Sequence, residues 1–268
     1  MENKTILTYL SSLSSKLRLP DEERQKIETS VKTIKDKLVV SFFDDGLKEV
    51  KPFGSFDRET LLSRKVDSES DVDILIVFDE KKWEPQTYLN KLKQFANDNY
   101  SRSDNYQDHP TIAIELTSIK FELTPCIFKE EGFLSPEKYL IPKKQSGDIE
   151  WIRTEPDELK DKISEFKKTK ETLLDLIHLF KYWNIINGKL YSTFVLEKFV
   201  IGYFDYEENL DYNFFRIIEK LTYLDNEGAQ TELNKRTQKS KNKIEILLDN
   251  DMEDYAMMEL NKIVPELE

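Results

Sequence analysis

An α+β fold, in which a sheet with flanking helices is followed by a C-terminal helical lobe, is predicted by three features of the sequence. Residues from about Lys51 to Phe128 carry short runs rich in Ile, Val and Phe separated by polar turns, the mark of strands. Before them, Ile27, Val31, Ile34, Leu38 and Phe42 recur at helical spacing. After Trp151 the pattern is helical again and stays so to the end. The chain therefore divides into a core over 1–150, which includes the long N-terminal helix, and a helical lobe over 151–268.

The long helix starts at Pro20-Asp21-Glu22-Glu23, where proline and acids suit the first turn. Its apolar stripe faces inward and its role is structural. The run Ile74-Leu75-Ile76-Val77-Phe78 is a buried strand headed by Asp71-Val72-Asp73. Thr111–Leu116 and Ile119–Leu123 form a hairpin across Thr117-Ser118. That turn places Ile112, Ile114, Leu116, Ile119, Phe121 and Leu123 on one face and Ala113, Glu115, Lys120 and Glu122 on the other. Glu115 then pairs with Lys120 as a cross-strand ion pair, and Glu122 faces Ala113 with no such partner. Thr154, Pro156, Asp157 and Glu158 resemble a helix start. Leu173, Leu174, Ile177, Phe180 and Trp183 or Asn184 continue at helical spacing up to Gly188, which ends that helix. Further helices are expected at about 192–204, 209–222, 229–248 and 251–264, with Lys235–Lys241 as a solvated basic face.

Composition narrows the function. A chain of 268 residues with 38% hydrophobic content is large enough for a proper core. It has no run of about 18 apolar residues and no signal-peptide layout at Met1-Glu2-Asn3-Lys4, so a cytoplasmic protein without a membrane partner is expected. One cysteine and two histidines exclude an intrachain disulfide and a structural zinc site. A net charge of −12 argues against a general nucleic-acid binder, while a bound metal and a few local cations can still hold a nucleoside triphosphate.

The chemistry is concentrated at Gly54-Ser55 and Asp71-Val72-Asp73. On a strand Asp71 and Asp73 point the same way with Cα atoms about 6.6 Å apart. Two such carboxylates repel each other and are costly beside apolar neighbours unless a cation neutralises them, which suggests Mg2+. Glu122 is the better third carboxylate, since Glu115 is already paired. With Phe53-Gly54-Ser55-Phe56-Asp57-Arg58-Glu59-Thr60, the hairpin between Pro110 and Pro125, Phe180-Lys181-Tyr182-Trp183-Asn184 and Ser192-Thr193-Phe194-Val195-Leu196-Glu197, the constellation resembles the DNA polymerase β-like nucleotidyltransferases. Within them it is similar to the CdnE-type branch of the cGAS/DncV-like nucleotidyltransferases (CD-NTases), over most of residues 1–205.

That resemblance implies a polymerase β-like nucleotidyltransferase core over 1–150. Asp71, Asp73 and Glu122 would be the catalytic metal ligands for two Mg2+ ions, with Mn2+ as a substitute. Gly54, Ser55, Lys181 and Ser192 would bind the nucleotide. Many relatives carry aspartate where this chain has Glu122. The reaction implied is attack of a ribose 3′-hydroxyl on the α-phosphate of a nucleoside triphosphate, repeated to close a cyclic dinucleotide, with GTP giving cyclic di-GMP in bacterial anti-phage (CBASS) defence. The partners implied are nucleoside triphosphates and a downstream receptor for the product, with no DNA or RNA activator, and the protein is expected to be a monomer. A linear oligonucleotide synthase, an enzyme tagging a small molecule or protein with a nucleotide, and a catalytically silent nucleotide-binding module are the competing readings.

Each residue also has a plainer role. Lys181 among apolar neighbours would snorkel to solvent; Ser192 suits a helix N-cap. Arg58 and Thr60 can brace the turn, and Arg64, Lys65, Asp67 and Glu69 form a solvated loop, from which Arg64 could also reach a triphosphate. Trp151 and Trp183 read as core, His109 as a turn residue and Cys126 as a buried small hydrophobe.

Overall fold

The computed structural model describes residues 5–79, 82–108, 110–117, 119–129, 138–145, 148–224 and 228–267. The helices are α1 (Ile6–Leu17), α2 (Asp21–Ser41), α3 (Gly54–Asp57), α4 (Pro85–Asn99), α5 (Glu158–Glu165), α6 (Lys170–Ile186), α7 (Thr193–Tyr203), α8 (Leu210–Lys220), α9 (Ala229–Asp249) and α10 (Glu253–Ile263). The strands are β1 (Leu47–Phe53), β2 (Asp71–Phe78), β3 (Asp104–Asp108), β4 (Thr111–Leu116), β5 (Ile119–Lys129), β6 (Lys138–Gln145) and β7 (Asp148–Thr154). They fall into two compact units. One comprises Leu19–Glu59 and Glu69–Glu158, the other Met1–Arg18, Thr60–Ser68 and Leu159–Glu268. A single cut near residue 150 does not describe this division, because α1 and the segment after the Gly-Ser turn belong with the C-terminal helices.

In the first unit the strand order is β1-β2-β5-β4-β3, and β6, followed by β7, pairs with the far end of β5. The β2–β5 pair is parallel and the others are antiparallel. Period-2 alternation puts Val72, Ile74, Ile76 and Phe78 of β2 on one face, with Ile112 and Ile114 of β4 and Phe121 and Leu123 of β5; all are buried. Aromatic rings tie the helices to this unit. Phe42, just past α2, meets Phe78 at 5.8 Å between centroids, and Tyr88 of α4 meets Phe78 at 4.8 Å. The other face holds a smaller apolar cluster of Leu75, Val77, Cys126 and Phe128, against which Phe53, Tyr139 and Ile141 pack. Asp71 and Asp73 head β2 on that second face.

The β4–β5 register matches the parity expected from the sequence, with Leu116 opposite Ile119, Glu115 opposite Lys120 and Ala113 opposite Glu122. Ser118 and His109 lie outside the described residues. The long helix has the expected buried positions Ile27, Ile34 and Leu38, while Val31 is only partly covered. The sequence had not predicted β6 and β7.

The helical unit is built around α6, whose residues from Leu176 to Asn184 are buried without interruption. A helix with apolar side chains on every side has to be enclosed, here together with the polar His178, Lys181 and Asn184, and α1 packs Leu10, Leu13 and Leu17 into the same core. Helix α1 was not anticipated, although Thr5 caps it by accepting the Thr8 N–H at 3.2 Å. The four last helices lie close to the expected ranges. Helix α9 corrects one expectation, since its basic tract is not uniformly solvated. Lys235 and Lys239 are exposed, but Thr237 and Lys241 are buried, and Lys241 pairs with Glu219 and Glu245.

Candidate functional site

Parallel pairing of β2 with β5 sets Lys120 beside Asp71 and Glu122 beside Asp73. Asp71 and Asp73 are partly accessible while Val72 and Ile74 between and after them are buried, so the two carboxylates share a face. Glu122 joins them from the neighbouring strand. Its Oε1 accepts from Lys120 Nζ at 2.6 Å and its Oε2 accepts from Thr111 Oγ1 at 3.2 Å. Lys120 Nζ also stands 3.2 Å from Asp71 Oδ2. The expected Glu115–Lys120 ion pair does not form; Glu115 Oε1 instead accepts from Tyr106 OH at 2.6 Å. The register is the expected one, but the lysine pairs with Glu122 on its own strand and Asp71 on β2 and not with Glu115 across the hairpin, and Glu122 therefore does have a partner.

Electrostatics mark the cluster. Burial, and then the charges of Asp71 and Glu122, push the Asp73 carboxyl up to about 7, only partly offset by Arg58 and Lys120. Burial also raises Glu122, opposed by its Lys120 hydrogen bond and reinforced by the Asp71 charge. Lys120 is held above the ordinary lysine range: burial works against its charge, but Glu122 and Asp71 more than compensate.

Gly54 supplies the backbone approach. Its φ of +70° is left-handed, and a Cβ there would sit 2.9 Å from Asp73 Cγ and 3.2 Å from Asp73 Cβ. Strand β1 delivers this glycine because Phe53 pairs with Asp73 across the antiparallel ladder. Ser55 follows in α3, where the Arg58 N–H returns to the Gly54 carbonyl at 3.2 Å. Three carboxylates are hard oxygen donors of the kind Mg2+ takes, and the Asp73 pKa is raised first by burial and then by the Asp71 and Glu122 charges, which a divalent cation would offset. The donor chemistry thus fits. Among the described residues, however, no group of three or more His, Cys, Asp or Glu side chains stands in a metal-holding arrangement; the ammonium of Lys120 spans Asp71 and Glu122.

Lys181 and Ser192 lie in the helical unit. Lys181 does not snorkel: it is 4% exposed, and its Nζ donates to the Thr60 carbonyl at 2.7 Å and to Glu197 Oε1 at 3.3 Å. Glu197 makes this burial tolerable by neutralising the ammonium, and Thr60 Oγ1 donates to the same oxygen at 2.8 Å. These bonds join Thr60 to the helical unit and not to the Gly54-Ser55 turn that it was expected to brace. Ser192 Oγ accepts the Val195 N–H at 3.3 Å as the N-cap of α7. Arg64 bonds the Ser68 carbonyl at 2.7 Å, within its own loop. Trp183 is core, donating to Thr237 Oγ1 at 3.2 Å, whereas Trp151 is half-buried and edge-on to Tyr88. The Cys126 thiol is buried and pushed up to about 12. Sequence reasoning missed Lys120, Thr111 and Glu197 as members of these networks. Parity pointed to the first, since Lys120 is two residues from Glu122 on one strand.

The mixed sheet with flanking helices is a nucleotidyltransferase fold, and its adjacent parallel strands bring Glu122 to the Asp71 and Asp73 pair beside the Gly54 turn. The sequence profile of the SMODS domain, the Second Messenger Oligonucleotide or Dinucleotide Synthetase domain, matches residues 5–166, and the chain belongs to that family. A probable cyclic nucleotide synthase of Bacillus cereus (strain VD146) is 24% identical over 192 residues, which are 59% of this chain and 56% of that relative. The chain thus spans little more than half the length of the curated relative it matches. In fold it is similar to CdnC of E. coli MS115-1, solved with ATP, with a TM-score of 0.75 at 11% identity over 99% of each chain. DncV of Vibrio cholerae, a cyclic AMP-GMP synthase solved with a linear intermediate, gives 0.74 at 11% identity over 96% of this chain and 94% of that one. CdnE of Elizabethkingia meningoseptica, a cyclic dinucleotide synthase solved with GTP and Apcpp, gives 0.60 at 15% identity over 81% and 83%. No helix among the described residues is long and apolar enough to cross a membrane.

Proposed function

We propose that this chain is a divalent-cation-dependent cyclic dinucleotide synthase of CdnE type that makes a second messenger in bacterial anti-phage defence. The observation that carries the reading is the β2–β5 register, which sets Glu122 beside Asp73 and gives the carboxylate pair its third member. Asp71, Asp73 and Glu122 would hold the ions, Mg2+ by preference. Divalent ions, when bound, lower the pKa of the attacking hydroxyl and offset charge on the departing oxygens.

The chain's own groups supply the rest. Glu122, whose pKa is already raised, takes the proton from the ribose 3′-hydroxyl. Gly54 and Ser55 bind the triphosphate through a turn with no Cβ at its tightest point. Lys181 and Ser192 are the further nucleotide-binding residues, each also serving the helical unit as a buried ion-pair partner and a cap. Pyrophosphate leaves, and a second round on the linear dinucleotide closes the ring.

GTP is the proposed substrate and cyclic di-GMP the product. GTP is present in the complexes of Bradyrhizobium diazoefficiens CdnG and of the Elizabethkingia CdnE, the latter together with Apcpp. Incubation of pure protein with each nucleoside triphosphate and Mg2+ or Mn2+, followed by mass identification, tests the reading. A phosphatase-resistant product from GTP alone is expected. Phosphatase-sensitive ends would make the enzyme a linear synthase, and absence of any product or pyrophosphate would overturn catalysis.

A further inference from the structure

Lys120 has no place in the reaction as described, yet its ammonium touches two of the three carboxylates. It reaches them by parity, standing two residues before Glu122 on β5 and in parallel register with Asp71 on β2. Its ammonium lies 2.6 Å from Glu122 Oε1 and 3.2 Å from Asp71 Oδ2. A divalent ion coordinated by those same oxygens cannot share them with an ammonium at hydrogen-bond distance, because like charges would then meet within the site. Loading the site with divalent ions requires the lysine to leave.

The hairpin provides a place for it to go. Glu115 is directly opposite Lys120 in the β4–β5 register, on the same face, and side chains so placed are close enough to pair. Glu115 is exposed, and its Oε1 accepts from Tyr106 OH. Every charged group needed for both positions is therefore on one face of three adjacent strands: Asp71 and Asp73 on β2, Lys120 and Glu122 on β5, and Glu115 on β4.

We infer that Lys120 is a two-position counter-ion of the carboxylate site. It bridges Asp71 and Glu122 when divalent ions are absent and moves across the hairpin to Glu115 when they bind, so that it sets the ion concentration at which the site fills. This rests on the proposed role of the triad as the divalent-ion site. The lysine lowers the charge repulsion of the free site and makes loading a competition, and Glu115 eases that competition by receiving the displaced ammonium.

The test is Mn2+ binding to the full chain without nucleotide, followed by the electron paramagnetic resonance of the free ion. Wild type should bind Mn2+ and Asp73→Asn should bind it more weakly; if the two do not differ, the triad is not the ion site and the functional reading itself falls. Given that difference, Lys120→Gln should bind Mn2+ about tenfold more tightly, the scale of losing a charge-assisted competitor. Glu115→Gln should bind about threefold more weakly, on the scale of an exposed pair, and this second effect should vanish in the Lys120→Gln background. Unchanged or weaker binding by Lys120→Gln would overturn the inference. So would a Glu115→Gln effect that persists without the lysine, since that is a simple field effect of the lost charge and not a receiving position.

Discussion

Gly54 and Asp73 occupy space that admits no side chain at the glycine. The backbone at Gly54 is left-handed at φ +70°, and a Cβ there would lie 2.9 Å from Asp73 Cγ, closer than real Cβ contacts come. The glycine of the turn and the aspartate of the strand are thus one structural unit, in which the turn can lie against the carboxylate only because nothing projects from it.

Gly54→Ala is expected to fail twice over. The left-handed backbone costs about 1–3 kcal/mol for a residue with a Cβ, and Asp73 has to rotate away. Displacement of a catalytic group by about 1 Å is worth roughly a hundredfold in rate. Steady-state pyrophosphate release and thermal melting should show a drop in kcat of that order with a modest loss of stability; full activity in a folded variant would contradict the arrangement.

The buried pair in the helical unit makes a separable prediction. Lys181 and Glu197 are 4% and 0% exposed, so Lys181→Met strands a carboxylate and should cost about 3–5 kcal/mol. Adding Glu197→Gln removes the stranded charge and should restore most of that stability in denaturant titrations. The KM for GTP in the restored double variant should remain about tenfold high if Lys181 also binds phosphate, the scale of one lost charge-assisted contact. A KM that recovers with stability would reduce Lys181 to its structural role.

Acid should weaken the helical unit through Glu259. This buried carboxylate on α10 accepts from Lys262 at 2.7 Å, Lys243 at 2.9 Å and Ser240 at 3.1 Å, and these bonds, led by Lys262, hold its pKa down at about 2 against an ordinary 4.5. A depressed carboxylate stabilises the fold above its unfolded pKa, and that stabilisation drains away as pH falls from 4.5 towards 2. Melting temperatures should therefore fall more steeply over that window in wild type than in Glu259→Gln; parallel curves would refute the assignment.

How much of this could be read beforehand depended on how local the physics was. The β4–β5 register followed from side-chain parity across a short turn, and the last four helices from periodicity, because both are set by neighbours in the chain. Parallel pairing of β2 with β5 is nonlocal, joining Asp73 to Glu122 across the whole of α4, β3 and β4. Nothing in either strand announces it. Lys120 was misplaced because the nearest opposite charge across the hairpin, Glu115, was weighed without Glu122 on its own strand and without Asp71, which the parallel strand brings to the same face. The plainer reading of Lys181, a side chain snorkelling to solvent, fails because its partner Glu197 lies on the next helix and is not visible from the neighbours of Lys181 in the chain. Strands β6 and β7 escaped notice because Pro142 interrupts one and Asp148, Glu150 and Arg153 dilute the other.

The triad as the centre of nucleotidyl transfer is tested most directly by Glu122→Gln, which keeps the size of the side chain and removes its charge and basicity. Pyrophosphate release from GTP with Mg2+ should be measured for wild type and for this variant, with melting temperature as the check that both are folded. A loss of about 10²–10⁴-fold, the scale of a missing general base, is the result the account predicts. Equal rates in two folded proteins would contradict it.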